Sequence, residues 1–427
     1  MSSPTLPTRP THRASRRSLG IGSQPPGTRS PRAITKSSER SGLPGCVSGS
    51  SSCPKNRHPF SASAPRPVDG DPLPRRRPDQ STFEADPARR VSGENQVKLS
   101  RNRLAPIVAL EPLLALSRAA RAQVQTASLM YHEILPDEDP HDAWTVVRET
   151  AFRAQMLYLR ERFDILSLDE LLRRMREPGR GRRCMAAVTF DDGYKGNRDV
   201  VWPLIERLEI PITIFVATGA IEGNTSHWFD RVIAALLSEG AEEIDLRAWG
   251  LGTYRPGDAG EGESRWVEIQ RALADLKGLP PADLDPAVLD VLRQAGVQGT
   301  LPPLPLLSVP DIQEMARSRF VTFGAHSHGH EVLPLLSHDE VHDSVLKSKK
   351  LLEEWTGKSV RHFAYPHGMF TPEIAGIVRE CGFDSSQATR PGLWRKGDSD
   401  LAVPRVAVGR YDSLALFRMR VSGMPGW

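Results

Sequence analysis

From residue 125 onward, short apolar runs alternate with stretches whose apolar residues recur at helical spacing. The runs "TASLMYH", "DILSL", "MAAVTF", "ITIFVAT", "RFVTFGAH", "RHFAYP", "FDSSQAT" and "AVPRVAV" read as strands. The stretch "TAFRAQMLYLRERF" places Phe152, Met156, Leu157 and Leu159 at helical intervals. Ser167 caps the helix "LDELLRRMRE", with Glu170 three residues on. In "NRDVVWPLIERLE" the proline is tolerated near a bend. The helix "SHDEVHDSVLKSKKLLEEWTG" runs from a Ser337 cap to a Gly357 stop. Pro372 stands in the first turn of "TPEIAGIVRECG". Strands alternating with helices at this length predict parallel βα units closing into an α/β barrel. Residues 239–307 break the rhythm. They are helical and loop-like, rich in Gly and Pro, and read as an insertion.

Residues 1–103 follow neither period. They are crowded with Ser, Pro, Arg and Gly and cannot bury enough apolar surface to offset the entropy of ordering them. A hydrophobic fraction of 39% over the whole chain fits an unfolded tail attached to a folded body. The tail holds 19 Lys and Arg against 7 Asp and Glu, a net of +12; with the chain at +4, the body from residue 104 carries −8. The basic character therefore belongs to the tail, and a nucleic-acid reading of the total charge would misplace it. A disordered extension or a misassigned start accounts for the tail best. Its acidic residues and prolines argue against a targeting peptide. Only Phe60 and Phe83 interleave with its basic residues, too few for a nucleic-acid-binding arm. The run "LAPIVALEPLLAL" (104–116) reads as an amphipathic helix leading into the domain, since Glu111 and Pro112 interrupt it as a signal sequence. No stretch is long enough to span a membrane. Cys46 and Cys53 lie in the tail, while Cys184 and Cys381 read as interior residues, so no disulfide framework is expected.

Two clusters carry chemistry. "TFDDG" ends an apolar strand with Asp191 and Asp192, and catalytic groups in such folds stand at the C-terminal ends of strands. Alone, the pair reads as readily as a tight turn. "FGAHSHGH" places His326, His328 and His330 after another strand, with His326 and His330 four apart, as on one side of a helical turn. Two imidazoles and a carboxylate are a common set for a catalytic divalent metal with positions left for water and substrate.

"TFDDG", "HSHGH" and "FAYPHG", in this order, resemble the motifs of the polysaccharide deacetylases, carbohydrate esterase family four. The resemblance covers residues 125–427. "LMYHEI", "FRAQMLYLRERFDILSLDELL" and "SHWFDRVIAAL" are similar to a bacterial subgroup tied to exopolysaccharide synthesis. It implies a distorted (β/α) barrel of about seven units over residues 104–427, and hydrolysis of N-acetyl groups from amino sugars in a polysaccharide or oligosaccharide. It implies one divalent metal ion, zinc by default, held by Asp192, His326 and His330. It casts Asp191 as the general base and Ser327 as a residue steadying the histidine loop, and gives His328 no role. Backbone N–H groups of "YPHG" would help hold the oxyanion. Tyr365 and Pro366 fall on the groove wall, and Tyr365, Pro366 and His367 together make the expected substrate contacts.

Two family features are missing. The third motif usually carries an Arg that pairs with the base, and here that slot is Ala364. The late Leu-x-His motif that supplies the general acid is also absent. Arg405 in "VPRVAV" and His132 in "LMYHEI" stand at strand ends. Arg405 is expected to replace the missing Arg, and His132 to act as acid or substrate ligand. The alternatives are a structural ion pair and a packed histidine. Two other functions stay open: another metal hydrolase such as a phosphodiesterase, and a non-catalytic carbohydrate-binding relative. No nucleic-acid partner is expected. The compartment is left open between a cytoplasmic or membrane-peripheral place and the periplasm.

Overall fold

Seven of the eight runs read as strands pair in parallel into a closed barrel. They are β1 (Gln125–Tyr131), β2 (Cys184–Phe190), β3 (Ile212–Val216), β4 (Val321–Ala325), β5 (His362–Ala364), β6 (Ser385–Pro391) and β7 (Val403–Ala407). The order follows the chain from β1 to β7, and β1 pairs with both β2 and β7 to close the ring. The eighth run, Phe163–Ile165, lies outside the ring against β2, and Trp394–Arg395 pairs antiparallel with β1. The computed structural model describes residues 111–424, apart from 122–124, 178–182, 239–240, 257–262 and 297–301. The tail over 1–103 and the apolar run up to Leu110 lie outside the described residues. The described continuation of that run is helical over Glu111–Arg121. No helix among the described residues is long and apolar enough to cross a membrane.

The strands are buried on both faces, yet the period of two persists in which core each side chain joins. In β2, Cys184, Ala186, Val188 and Phe190 face the layer under the surrounding helices. Met185 and Ala187 point into the barrel, where they pack with Phe215, Ala364 and Val403 and with Leu168, Leu171, Leu172 and Met175 of the helix Leu168–Arg176. Ser167 caps that helix through the Glu170 N–H, and Ser337 forms a reciprocal capping box with Glu340 in the helix His338–Thr356, which stops at Gly357. The helix Glu149–Arg162 buries Phe152, Met156, Tyr158 and Leu159, whereas Leu157 stays 49% exposed. The buried stripe passes through Tyr158 instead. The segment containing Pro203 begins as a π-helical turn, Asn197–Val201, and becomes α-helical at Trp202–Leu208 with the proline in the first turn.

The excursion between β3 and β4 has a core of its own. The helices Trp228–Leu236, Glu263–Lys277 and Pro281–Ala295 and a small hairpin, Ile244–Asp245 with Thr253–Tyr254, enclose Val232, Leu236, Tyr254, Ile269, Leu276 and Val288. This core begins at Val232, ahead of residue 239.

Inside the barrel a missing side chain makes room for a large one. A Cβ on Gly324 of β4 would lie 2.5 Å from ring carbons of Phe215 on the neighbouring β3, and 2.9 Å from the His362 carbonyl oxygen. Phe215 is fully buried and the carbonyl is backbone, so neither yields easily. Gly324→Ala is expected to destabilise the protein by about 1–3 kcal/mol, as overpacking does. An unchanged urea midpoint would show that the barrel interior can relax.

Candidate metal centre and active site

The C-terminal ends of the strands bring the chemistry together. Asp191 and Asp192 follow β2, His326 follows β4, Tyr365 follows β5, and His132 follows β1. The loop after β4 is not a helical turn. His326 and His330 converge because Ser327 and His330 both adopt left-handed backbone, with φ of 61° and 55°. Asp192 at 73° and His367 at 57° do the same. Among the described residues, six non-glycine positions have positive φ, and four of them belong to this cluster. Such conformations cost energy and persist only where the surroundings over-determine them. Part of that constraint is visible: Ser327 Oγ donates to Glu331 at 2.5 Å, and Glu331 also accepts from Ser344 Oγ at 2.8 Å and from the Gly329 N–H at 3.0 Å.

A carboxylate oxygen of Asp192 and nitrogens of His326 and His330 lie within 4.8 Å of one another, and all three residues are buried. His326 Nδ1 stands 2.7 Å from the Ala364 carbonyl oxygen. A carbonyl only accepts, so Nδ1 carries the hydrogen and Nε2 presents a lone pair. That lone pair faces Asp192 Oδ1 at 3.4 Å, and His330 Nε2 faces the same oxygen at 3.1 Å. Asp192 Oδ1 is buried and has no hydrogen-bond donor among the described residues. A buried carboxylate oxygen without a donor, faced by the Nε2 atoms of two histidines, is resolved by a cation between them. The donor set, one oxygen and two nitrogens, fits a divalent metal such as zinc.

Asp191 points elsewhere. Its two oxygens accept from Arg405 Nη1 and Nη2 at 2.7 Å each, a bidentate pair. Arg405 is 0% exposed, and its Nε donates to the Ala388 carbonyl at 2.9 Å. Burial raises the Asp191 carboxyl, but the Arg405 guanidinium offsets it and leaves it below its ordinary value. The guanidinium paired with Asp191 comes from β7. His132 stands half-buried at the end of β1, within electrostatic reach of Asp192, Asp191 and Arg405. Burial pushes its ring below the ordinary histidine value, against the pull of the two carboxylates.

The "YPHG" segment departs from expectation. Tyr365 is fully buried and stacks on Phe370 at 4.2 Å. Its hydroxyl donates to the Leu401 carbonyl at 3.0 Å and accepts from Ser386 at 2.8 Å. Pro366 is buried as well. Both side chains are packed inward rather than exposed on a groove wall. Of the "YPHG" N–H groups, that of Tyr365 donates to the Gln387 carbonyl and that of Gly368 to the Tyr365 carbonyl, so neither is a spare donor for an oxyanion. His367 alone of the three turns to the site, its ring 4.6 Å from that of His330. His328 points away and bonds Thr218 Oγ1 at 3.0 Å and Lys347 Nζ at 2.8 Å.

The structure adds residues that spacing did not reveal. His227 is buried, with Nε2 3.1 Å from the Asp192 carbonyl oxygen. Phe229 packs against the His330 ring at 5.1 Å. Tyr194 donates to Asp230 at 2.9 Å. "SHWFDRV" held the signal as an aromatic-rich run with a histidine and an acid, but nothing in its spacing linked it to Asp192.

Residues 277–386, which include His326 and His330, match the family model described as polysaccharide deacetylase. A chitooligosaccharide deacetylase of Azorhizobium caulinodans is 26% identical over 130 residues, which is 30% of this chain and 59% of that relative's length. Among solved structures, Streptococcus pyogenes deacetylase PplD shows 17% identity and a TM-score of 0.47, covering 70% of this chain and 99% of that one. IcaB from Ammonifex degensii shows 18% identity and a TM-score of 0.45, covering 69% and 97%.

Proposed function

We infer that this chain, a member of the polysaccharide deacetylase family, hydrolyses the N-acetyl groups of amino sugars in a polysaccharide or oligosaccharide and releases acetate. The observation that carries the reading is the split between the adjacent aspartates: Asp192 turns to the two histidines, and Asp191 to Arg405. Asp192, His326 and His330 would hold one divalent metal ion, zinc by preference. Bound there, the ion supplies Lewis acidity for the acetyl carbonyl and lowers the pKa of a neighbouring water.

The chain's own groups do the rest. Asp191 accepts the proton of the attacking water, and Arg405 keeps its carboxylate ionised and aimed. The amide C–N bond breaks as the sugar nitrogen gains a proton, and His132 is the group assigned to that side. His367 is left as the substrate contact from its segment. The intact donor set favours catalysis over a carbohydrate-binding role. Purified protein is expected to carry about one zinc per chain and to release acetate from N-acetylglucosamine oligomers, with a chelator abolishing both. Metal binding without acetate release from any N-acetylated sugar polymer would favour the binding relative, and phosphodiester cleavage would favour the other hydrolase.

A further inference from the structure

The helix Trp228–Leu236 has two faces with different tasks. Val232, Ala235 and Leu236 are buried in the separate core of the excursion between β3 and β4. Its first turn and the residue before it are turned to the metal ligands. His227, the residue that precedes the helix, is 4% exposed and bonds the Asp192 carbonyl at 3.1 Å. Its ring stacks on Phe229 at 5.0 Å with an interplanar angle of 10°. Phe229 lies 5.1 Å from the His330 ring, and His227 lies 5.4 Å from it. Tyr194 meets the His227 ring edge-on at 5.9 Å and is tied to Asp230 of the same helix. One turn of helix therefore touches two of the three metal ligands.

We propose that the excursion is a working part of the metal centre, with His227 a positioning residue that fixes Asp192 through its carbonyl. Asp192 sits at φ 73°, a conformation that a non-glycine residue leaves unless it is held. A carbonyl accepts, so His227 donates from Nε2. With that carbonyl fixed and the flanking strand end fixed by β2, the peptide planes on both sides of Asp192 are set, and with them the direction in which its side chain leaves the backbone toward His326 and His330. The stack of His227 on Phe229 carries the same constraint to the His330 ring. Residues that orient metal ligands typically contribute 10- to 100-fold in metal affinity when removed.

The inference rests on the metal-centre reading, and zinc affinity tests it without recourse to turnover. Zinc is titrated against a competing chelator into the full chain of wild type, His227→Phe and His227→Gln. Phenylalanine keeps the ring and its stacking but has no N–H, whereas glutamine restores a donor near the same place. His227→Phe is expected to bind zinc about 10- to 100-fold more weakly, with a metal-free urea midpoint close to that of the wild type. His227→Gln is expected to recover most of the loss. Equal affinity of wild type and His227→Phe overturns the proposal, as does a glutamine variant that folds but binds no better than phenylalanine. If the Phe variant fails to fold, the Gln variant decides alone: affinity within a few-fold of wild type upholds the role, and a 10-fold loss in a folded protein ends it. A wild type that binds no zinc ends the metal-centre reading itself, which separates the two failures.

Discussion

Asp191→Asn is expected to keep one metal ion per chain while turnover falls by at least about 10²-fold, whereas Asp192→Asn empties the site. The two carboxylates are neighbours in sequence, so a role for one can easily be credited to the other. Their surroundings separate them. Asp192 Oδ1 faces His326 and His330 at 3.4 and 3.1 Å, while both Asp191 oxygens accept from Arg405. Asparagine at 191 retains the shape and one acceptor for Arg405 but cannot take a proton, and general-base catalysis is typically worth 10²–10⁴-fold. Asparagine at 192 removes the one anionic ligand from a set of three. His326→Ala with His330→Ala is expected to lose the metal as completely. Metal analysis of dialysed protein beside acetate release checks all three. If Asp191→Asn stripped the metal and Asp192→Asn kept it, the roles assigned here would be reversed.

Arg405→Met is expected to lower turnover sharply, to move the acidic limb of the rate profile to higher pH, and to cost about 3–5 kcal/mol of stability near neutral pH, the usual result of orphaning one member of a buried pair. The sign follows from the environment of Asp191. Burial favours its neutral form, and the Arg405 guanidinium reverses that preference, leaving the carboxyl below its ordinary value. A depressed folded value stabilises the fold above the unfolded carboxyl pKa, and that contribution fades as pH falls through the folded one. Without the guanidinium only burial and weaker neighbours remain, the carboxyl titrates higher, and the base is ionised only at higher pH. The stability deficit should therefore shrink as the solution is acidified. Urea midpoints across pH, together with the rate profile, test both statements. An unchanged profile would mean that Arg405 is a structural tie and leaves Asp191 to be tuned by other groups.

The barrel was legible because its code is local. Buried strands, capped helices and turn residues declare themselves within a few positions, as at Ser167, Ser337 and Gly357. The Asp191–Arg405 link could be anticipated because an absent arginine left a charge to be supplied and one strand offered it. Tyr365 could not be placed, since an aromatic beside a catalytic motif serves a groove and a core equally well by pattern; only the Leu401 and Ser386 partners decide it. His227 escaped for a related reason. Its link to Asp192 crosses from the excursion to the barrel, and periodicity carries no information about which surface of one body meets another. Spacing of four suits a helical turn, whereas the histidine loop is bent by left-handed residues, Ser327 and His330, that no glycine marks.

The order in which the ring closes has a consequence for the chain as it is made. β1 pairs with β2 at once, but its other edge waits for Trp394–Arg395 and β7, the last strand, near the end of the chain. Asp191 and Arg405 are 214 residues apart, so the carboxylate emerges long before the guanidinium that neutralises it. A growing chain that has completed β1 to β6 still has two open strand edges and a charged group that cannot yet be taken out of water. Closure of so large a loop is slow, and the Asp191–Arg405 contact cannot form before it. A ribosome-bound chain lacking β7 would therefore be inert and open to edge-to-edge pairing with its neighbours. The appearance of function and the disappearance of that hazard would then be one event in time.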